Sequence, residues 1–315
     1  MPRGLLRFIA RRVAAAAVLV LLVSSAAMLL ARLAPGDHLS DFGVDPAVAA
    51  AECARTRCND PLLTQYAVWL GRAVRLDLGE SVRFGRPVRQ LVEERASNSV
   101  VLGAWALSVA TALGIPAGVL TGSRRRGAAA RMARGTSTLL LSVPPLVSAL
   151  LLLLVASRTG WFPVGGMALD DAPMTERLRH LALPVLALAL PMAATLERLQ
   201  SRAIAESLSE PCILAAAARG LTPARIVWRH ALTLSLKPVL AIYGIIIGSL
   251  ISGSFAVEYV MAWPGLGALM YDALVARDAY LVAGCAAAGA VALALGILFS
   301  DIALAAVDPR LREAA

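Results

Sequence analysis

The sequence predicts an all-α polytopic membrane protein with six transmembrane helices and an extracytoplasmic segment between the first and second. Three observations carry this. Of 315 residues, 58% are hydrophobic and 16% charged, with a mean hydropathy of +0.71. A soluble domain holds roughly 45–50% apolar and about 25% charged residues, so this surplus needs lipid to face. Six charge-free runs match or approach the roughly 17 to 25 residues that cross a bilayer core about 30 Å thick. The basic residues, finally, alternate in density from one inter-run segment to the next.

The first run, Val13 to Ala31, has 19 residues and follows Arg3, Arg7, Arg11 and Arg12. A secretory signal core is typically about 7 to 15 residues, so a retained helix is expected. The segment from Arg32 to Arg95 holds an amphipathic helical pattern over Asp60 to Gly71, carried by Leu62, Leu63, Tyr66, Trp69 and Leu70, with turns at Pro35-Gly36 and Pro46. It reads as a small folded cap. The second and third runs are Ala96 to Ser123 and Gly135 to Ser157. The fourth, Leu181 to Leu196, is short and holds Pro184 and Pro191, which predicts a kink or an extension past Glu197. Pro238 to Val257 and Ala279 to Ser300 complete the set. Between them, Tyr259 to Tyr271 is 13 residues without charge, broken by Pro264, Gly265 and Gly267. That length suits a re-entrant or interfacial segment, or an apolar hairpin packed on the cap. Glycines four apart, Gly114 with Gly118 and Gly244 with Gly248, suit close helix packing.

An even number of spans places both termini on one side. The N-terminal segment has four Arg and no acid, and the loop after the second run has Arg124, Arg125, Arg126, Arg131 and Arg134 and no acid. By the positive-inside rule both are cytoplasmic. The same side receives 17 of the 30 basic residues, and nine of the 13 outside are matched by nine acids in the long first loop. The net charge of +9 therefore encodes orientation, and a nucleic-acid surface is not expected.

Several chemistries are excluded. Lys237 is the only lysine and precedes Pro238, so no G-x-x-x-x-G-K-[ST] phosphate loop exists. His38, His180 and His230 lie far apart, without a second ligand at metal spacing. Neither H-E-x-x-H nor G-x-S-x-G occurs. Cys53 and Cys58, with four residues between them in the outward loop, suit a disulfide or two separate thiols equally well. Cys212 is expected to be cytoplasmic and reduced, and Cys285 lies within a helix.

The most informative stretch is Ser209 to Pro238, SEPCILAAAARGLTPARIVWRHALTLSLKP. Glu210-Pro211 suits the first turn of a helix, Ile213 to Ala218 continues it, and Gly220 stands where a left-handed stop is expected. Thr222 as cap and Pro223 at the first position open a second helix, with Ile226, Val227, His230, Ala231 and Leu234 at helical spacing. A small-faced exposed helix of this kind docks into a partner's groove or lies on the lipid surface.

The order Ala215-Ala216-Ala217-Ala218-Arg219-Gly220-Leu221, then Trp228-Arg229-His230-Ala231-Leu232, then Pro238 eighteen residues after the glycine, resembles the coupling loop of inner-membrane permeases of binding-protein-dependent ABC importers. Its form is similar to the dipeptide, oligopeptide and nickel branch. Arg32-Leu33-Ala34-Pro35-Gly36-Asp37, Leu78-Gly79-Glu80-Ser81 with Pro87-Val88, Trp263-Pro264-Gly265-Leu266-Gly267 with Ala276-Arg277-Asp278, and Asp308-Pro309-Arg310 resemble further segments of that branch in the same order. Three positions depart from it. Leu214 stands where the general motif opens on an acid, Lys237 where an apolar residue precedes the proline, and Ala96-Ser97 where a Leu-Pro pair is common.

The resemblance implies a type-1 ABC importer permease fold. It divides the chain into an N-terminal segment with the first helix (1–31), an extracytoplasmic cap (32–95), a five-helix permease core (96–307) with a coupling loop (198–231), and a cytoplasmic tail (308–315). Its implied ATPase-coupling residues are Glu210, Ile213, Leu214, Ala215, Ala216, Arg219, Gly220, Leu221 and Thr222. Trp263, Pro264, Gly265, Leu266 and Gly267 would form the docking face for an extracytoplasmic substrate-binding protein. The implied partners are a second related permease, two ATPase subunits that hold ATP and Mg, and the binding protein; no cofactor is expected on this chain, which is not expected to be an enzyme. The implied substrates are dipeptides, oligopeptides, nickel complexes or another small solute, passing residues of the second, third and fifth helices. A free-standing channel or secondary transporter is the competing class; it would bury ionisable residues at mid-membrane, whereas the six runs are free of charge. An intramembrane enzyme lacks a recognisable nucleophile or metal set.

Overall fold

A computed structural model describes residues 3–33, 60–124, 127–169 and 171–307. Among these, the regular structure is helical: α1 Arg3–Leu33, α2 Leu62–Ala73, α3 Val88–Ser123, α4 Ala128–Leu141, α5 Pro145–Thr159, α6 Met174–Ser207, α7 Pro211–Ala218, α8 Pro223–Val260, α9 Leu266–Val275 and α10 Ala279–Val307. Cys53, Cys58 and Asp308-Pro309-Arg310 lie outside the described residues, as does most of the Arg32 to Asp37 segment. Five helices are long and apolar enough to span a membrane, or six if α4 and α5 together count as one. This is the all-α, six-span architecture expected, with one difference in how the third span is built.

That difference lies at Ser142 to Pro145. Gly135 to Ser157 reads as one charge-free run, but α4 and α5 meet at 104°. A residue before proline is pushed out of helical geometry, and Pro144, which precedes Pro145, is extended (φ −60°, ψ 151°). Pro145 then opens α5 at a position where its missing N–H costs no bond. Hydropathy averages over this break; local backbone sterics make it.

Other helices outrun their apolar cores. Charges limit the second run at Arg95, yet α3 starts at Val88, its first turns burying Val88 and Leu91 and carrying on their exposed face an Arg89 to Glu93 pair at 2.7 Å, four residues apart. The fourth span settles as an extension: α6 passes Pro184 and Pro191 unbroken and runs through Glu197 to Ser207. Prolines are tolerated within membrane helices, where neighbouring groups and local adjustments satisfy the carbonyls they free, here those of His180 and Ala187. The fifth run is preceded by a π-helical turn, Ile226–Ala231, that joins Pro223–Arg225 to the rest of α8.

The chain forms two compact units, one of Met1–Ile9, Val101–Trp263 and Leu295–Ala315, the other of Ala10–Val100 and Pro264–Ala294. In the first, α6 is the central post, with two thirds (67%) of its most apolar window buried against 28% for α8. α3 approaches it through three glycines one turn apart. A Cβ on Gly114 would sit 2.6 Å from the Ala193 carbonyl oxygen and one on Gly118 2.7 Å from that of Glu197, while one on Gly122 would strike that of Ser201. The pair expected from sequence is thus a triplet, and its backbone contact is closer than any side chain permits. On the other flank, the α10 hydroxyl of Ser300 enters the α8 ladder, accepting from Gly244 N–H (3.1 Å) and donating to the Leu240 carbonyl (2.8 Å).

The second unit has its own apolar core, built from Met28 of α1, Trp69 of α2, Val88 and Leu91 of α3, Leu269 of α9 and Leu281 of α10. The amphipathic pattern at Asp60 to Gly71 becomes α2, with Tyr66 and Trp69 on the packed side and the Tyr66 hydroxyl 2.9 Å from that of Ser25. Leu63, grouped with them by spacing, is 80% exposed.

The glycine contact yields a sign test. Gly122→Ala is expected to destabilise the purified protein by about 1–3 kcal/mol, the usual overpacking penalty, whereas Gly135→Ala, where an added Cβ meets nothing within 4 Å, leaves stability unchanged or raised. Thermal denaturation in detergent followed by size-exclusion chromatography measures both.

Candidate functional site: a capped interfacial helix and a motif-built outer frame

The eight-residue helix α7 is a rigid, separately anchored element. Glu210 is its N-cap, one position earlier than the first turn expected for it; its carbonyl accepts from Ile213 N–H (3.0 Å) and Leu214 N–H (3.1 Å), and Pro211 takes the first helical position. At the other end Gly220 has φ +79°, the left-handed stop that the spacing predicts. Gly220 N–H donates to Ala217 O (3.0 Å) and Leu221 N–H to Ala216 O (3.4 Å), the paired bonds of a Schellman termination. Leu221 then packs inward as the apolar clasp of that motif. Thr222 is extended and Pro223 starts α8, so the helices are joined by a turn with little freedom. Thr222 makes no side-chain cap bond; its backbone carbonyl receives Ile226 N–H at 3.0 Å.

The predicted coupling residues divide by face. Ile213 and Ala216 are buried, Ile213 within a cluster made with Val119 of α3, Ile204 of α6, and Ile226 and Ala231 of the π turn. Glu210, Leu214, Ala215, Arg219, Gly220 and Thr222 are exposed, Leu214 by 58%. An apolar side chain of this size on an otherwise small, outward face forms a knob with shallow flanks.

Just inside this cluster lies a polar layer that the sequence does not announce. Glu197 and Gln200 of α6 are 3% and 0% exposed. The Thr121 hydroxyl of α3 donates a short hydrogen bond to Glu197 Oε1, and Gln200 Nε2 donates to Ser235 Oγ of α8 at 2.7 Å. Extended beyond its charge-free run, the spanning helix α6 thus carries a buried carboxyl.

In the second unit the scattered motifs come together. Asp278 is 1% exposed; its carboxylate accepts from Ser81 Oγ (2.6 Å), Arg83 N–H (3.3 Å) and Leu281 N–H (3.1 Å). It therefore caps α10 and closes the Ser81 turn, whose ends are paired by the Glu80 to Pro87 bridge. Tyr280 lies against Gly79, and the Arg32 guanidinium stands 5.5 Å from its ring centre. Asn98 and Ser99, missed by motif matching, hold the next loop: Asn98 Nδ2 donates to Pro264 O (2.8 Å) and Ser99 Oγ accepts from Leu266 N–H (2.7 Å). Their only sequence signal is two polar residues at the head of an apolar run. Trp263, Gly265, Leu266 and Gly267 are buried and Pro264 half-buried, so the expected docking residues are a frame. The side chains offered outward nearby are Tyr271, Leu274 and Val275 of α9, 42%, 53% and 54% exposed.

Among the described residues no three His, Cys, Asp or Glu side chains gather as a metal site. A cavity of about 460 Å³ between α3, α8 and α10 is apolar apart from hydroxyls, with Thr111 and Tyr243 bonded at 2.9 Å and Ser108 and Ser300 on its wall.

Residues 114–313 match the family described as binding-protein-dependent transport system inner membrane component. The chain belongs to that family. This transport permease is 33% identical to the oligopeptide transport system permease protein AppB of Bacillus subtilis over 96% of its own length and 98% of the relative's. It is 29% identical to the dipeptide transport system permease protein DppB of the same organism (98% of each chain), and 34% identical to the oligopeptide transport system permease protein OppB of Mycobacterium tuberculosis (84% of this chain and 85% of that one). Among solved structures, a chain of the inward-facing MetNI methionine ABC transporter superposes with a TM-score of 0.54 at 20% identity, covering 70% of this chain and 97% of that one. The fold is that of an ABC importer permease, the type-1 architecture expected. The family match begins at Gly114 and contains α7, the polar layer and the Trp263 loop.

For the permease's outer frame the expected result is specific. Asp278→Ala strands three donors and costs about 1.5–3 kcal/mol, the range for hydrogen bonds to a charged acceptor, whereas Ser81→Ala removes one of them and costs about 1 kcal/mol. Thermal denaturation of the two purified variants orders them.

Proposed function

We propose that this chain is one permease subunit of an ABC importer for peptides, di- or oligopeptides, or a related small solute, driven across the cytoplasmic membrane by ATP hydrolysis on partner subunits. The observation that carries the reading is α7: a short helix seated by Ile213 and Ala216, stopped at Gly220, and joined through a stiff turn to a membrane-spanning helix. A mobile loop would absorb a push; this arrangement transmits one. The peptide class is favoured by the relatives named as oligopeptide and dipeptide permeases, and by full-length similarity to them.

In this reading the chain pairs with a second, homologous permease, two ATPase subunits and an extracytoplasmic binding protein, in the lipid bilayer. ATP and Mg reside on the ATPase subunits. Both termini, the arginine-rich loop after α3 and α7 face the cytoplasm, following the arginine asymmetry. Closure of the ATPase pair moves a groove in which Leu214 is the knob and Ala215, Ala217, Ala218 and Arg219 are the flanks; the turn passes that movement to α8. Leu214, where the general motif opens on an acid, makes this contact an apolar one. On the other side, Trp263 to Gly267 shape the loop, and Tyr271, Leu274 and Val275 present the surface met by the binding protein. The cap of residues 32–95 adds to that face.

Gly220 tests the transmission. An added Cβ would meet open space, so Gly220→Val acts only through its left-handed backbone, at about 1–2 kcal/mol. The expected outcome is a complex that assembles and hydrolyses ATP while uptake of a labelled dipeptide or oligopeptide into proteoliposomes falls at least tenfold. Uptake at the wild-type rate would overturn the coupling role. Recovery of two ATPase subunits on affinity purification separates this function from a free-standing channel or secondary transporter, which would transport as the lone chain.

A further inference from the structure

We propose that Thr121, Glu197, Gln200 and Ser235 form a polar latch that sets how tightly movement of α8 follows α7, making Gln200 and Ser235 positioning residues for coupled transport. The proposal rests on the coupling role of α7 given above and names the device inside the bundle that receives it.

The latch residues neighbour the seat of α7 along all three helices. Ser235 lies one turn beyond Ala231 on α8, Gln200 one turn before Ile204 on α6, and Thr121 two residues beyond Val119 on α3. Ala231, Ile204 and Val119 are three of the five residues in the cluster that buries Ile213. A displacement of α7 therefore reaches the polar layer through one layer of packed aliphatic side chains.

The two halves of the layer differ in stiffness. α3 and α6 meet backbone to backbone at Gly118 and Gly122, which bracket Thr121, so the Thr121 to Glu197 bond joins helices with no room to slide. On the other side Gln200 Nε2 donates to Ser235 Oγ, and the Ser235 hydroxyl donates to the Leu232 carbonyl at 3.0 Å. Gln200 Oε1 is buried and has no hydrogen-bond partner. A glutamine amide carries both donors and acceptors, and a serine hydroxyl can give or receive. This pair thus has a second setting, in which α8 shifts and Ser235 donates to Oε1. One contact is fixed and the other exchangeable, as a catch between a static post and a moving lever requires. Packing supplies no reason for a buried carboxyl and carboxamide at this depth: ionisable and polar groups inside membrane helices are costly and mark function, and the glycines already join α3 to α6.

The test uses the assembled complex in proteoliposomes with its binding protein, measuring phosphate released per peptide taken up. Gln200→Met and Ser235→Ala are each expected to raise that ratio at least fivefold and to weaken stimulation of ATP hydrolysis by the binding protein. The double variant should be no worse than either single one, because both remove one bond. Ser235→Thr, which keeps the hydroxyl, should restore the wild-type ratio; a purely structural role would lower assembly without moving it. Ser235→Ala removes a single buried oxygen, so its folding is secure should Gln200→Met assemble poorly. An unchanged ratio in Ser235→Ala, with wild-type coupling intact, overturns the latch alone. A wild-type complex whose ATP hydrolysis is unrelated to uptake overturns the coupling reading and the latch with it.

Discussion

The approach of α3 to α6 over Gly114, Gly118 and Gly122 is the constraint on which the rest of the first unit depends. In lipid there is no hydrophobic drive between two apolar helices, so association relies on close packing and on interhelical hydrogen bonds. Three turns without side chains let the backbones meet at a distance that alanine would forbid. That contact places Thr121 against Glu197 and stands Val119 beside Ile204. The seat of α7 exists because those residues are held in one layer. A looser α3 would leave Ile213 without a floor, and α7 would be a loop on the membrane surface.

How much of this was legible in the sequence depends on the physical range of each signal. Apolar length is a local property, so the positions of all the spans were readable, as was the stop at Gly220, which rests on one residue's backbone preference. The break between α4 and α5 was not, because Ser142 to Pro145 is apolar enough to pass any hydropathy average while Pro144 and Pro145 impose an angle. Helix ends were misjudged where charges stopped the count: Arg95 ended a run but not a helix, and Glu197 lay past the edge of one and proved to be buried. Motif order predicted that Ser81 and Asp278 matter. Nothing in one dimension says that they touch, at 197 residues' separation.

The same limit explains the two halves of the candidate site. α7 was legible to within one residue at its start and at its stop, because Glu210, Pro211, Gly220 and Pro223 act on their own neighbours. The split between its buried Ile213 and Ala216 and its exposed Leu214 followed once a partner layer was present. The Trp263 to Gly267 loop reads as a docking surface through the family resemblance, and by its residues alone as a re-entrant or interfacial segment or a packed apolar hairpin. The structure buries most of it and gives it polar fastenings from Asn98 and Ser99. Residues that make a segment recognisable are thus of two kinds, those that present a surface and those that hold its backbone, and sequence resemblance alone does not separate them.

Where the polar groups lie also bears on selectivity. In the first unit the cavity between α3, α8 and α10 has hydroxyls but no carboxylate or guanidinium on its wall. Of the unit's buried polar side chains, Glu197 and Gln200 are instead bonded between helices next to α7, and Glu258 lies at the far end of α8. Strong discrimination against a near-isosteric solute requires buried polar groups left unpaired by the wrong ligand, and hydroxyls bonded to one another, such as Thr111 and Tyr243, supply little of that. In the proposed importer, Glu197 and Gln200 therefore hold helix against helix, and the choice of solute falls to the extracytoplasmic binding protein.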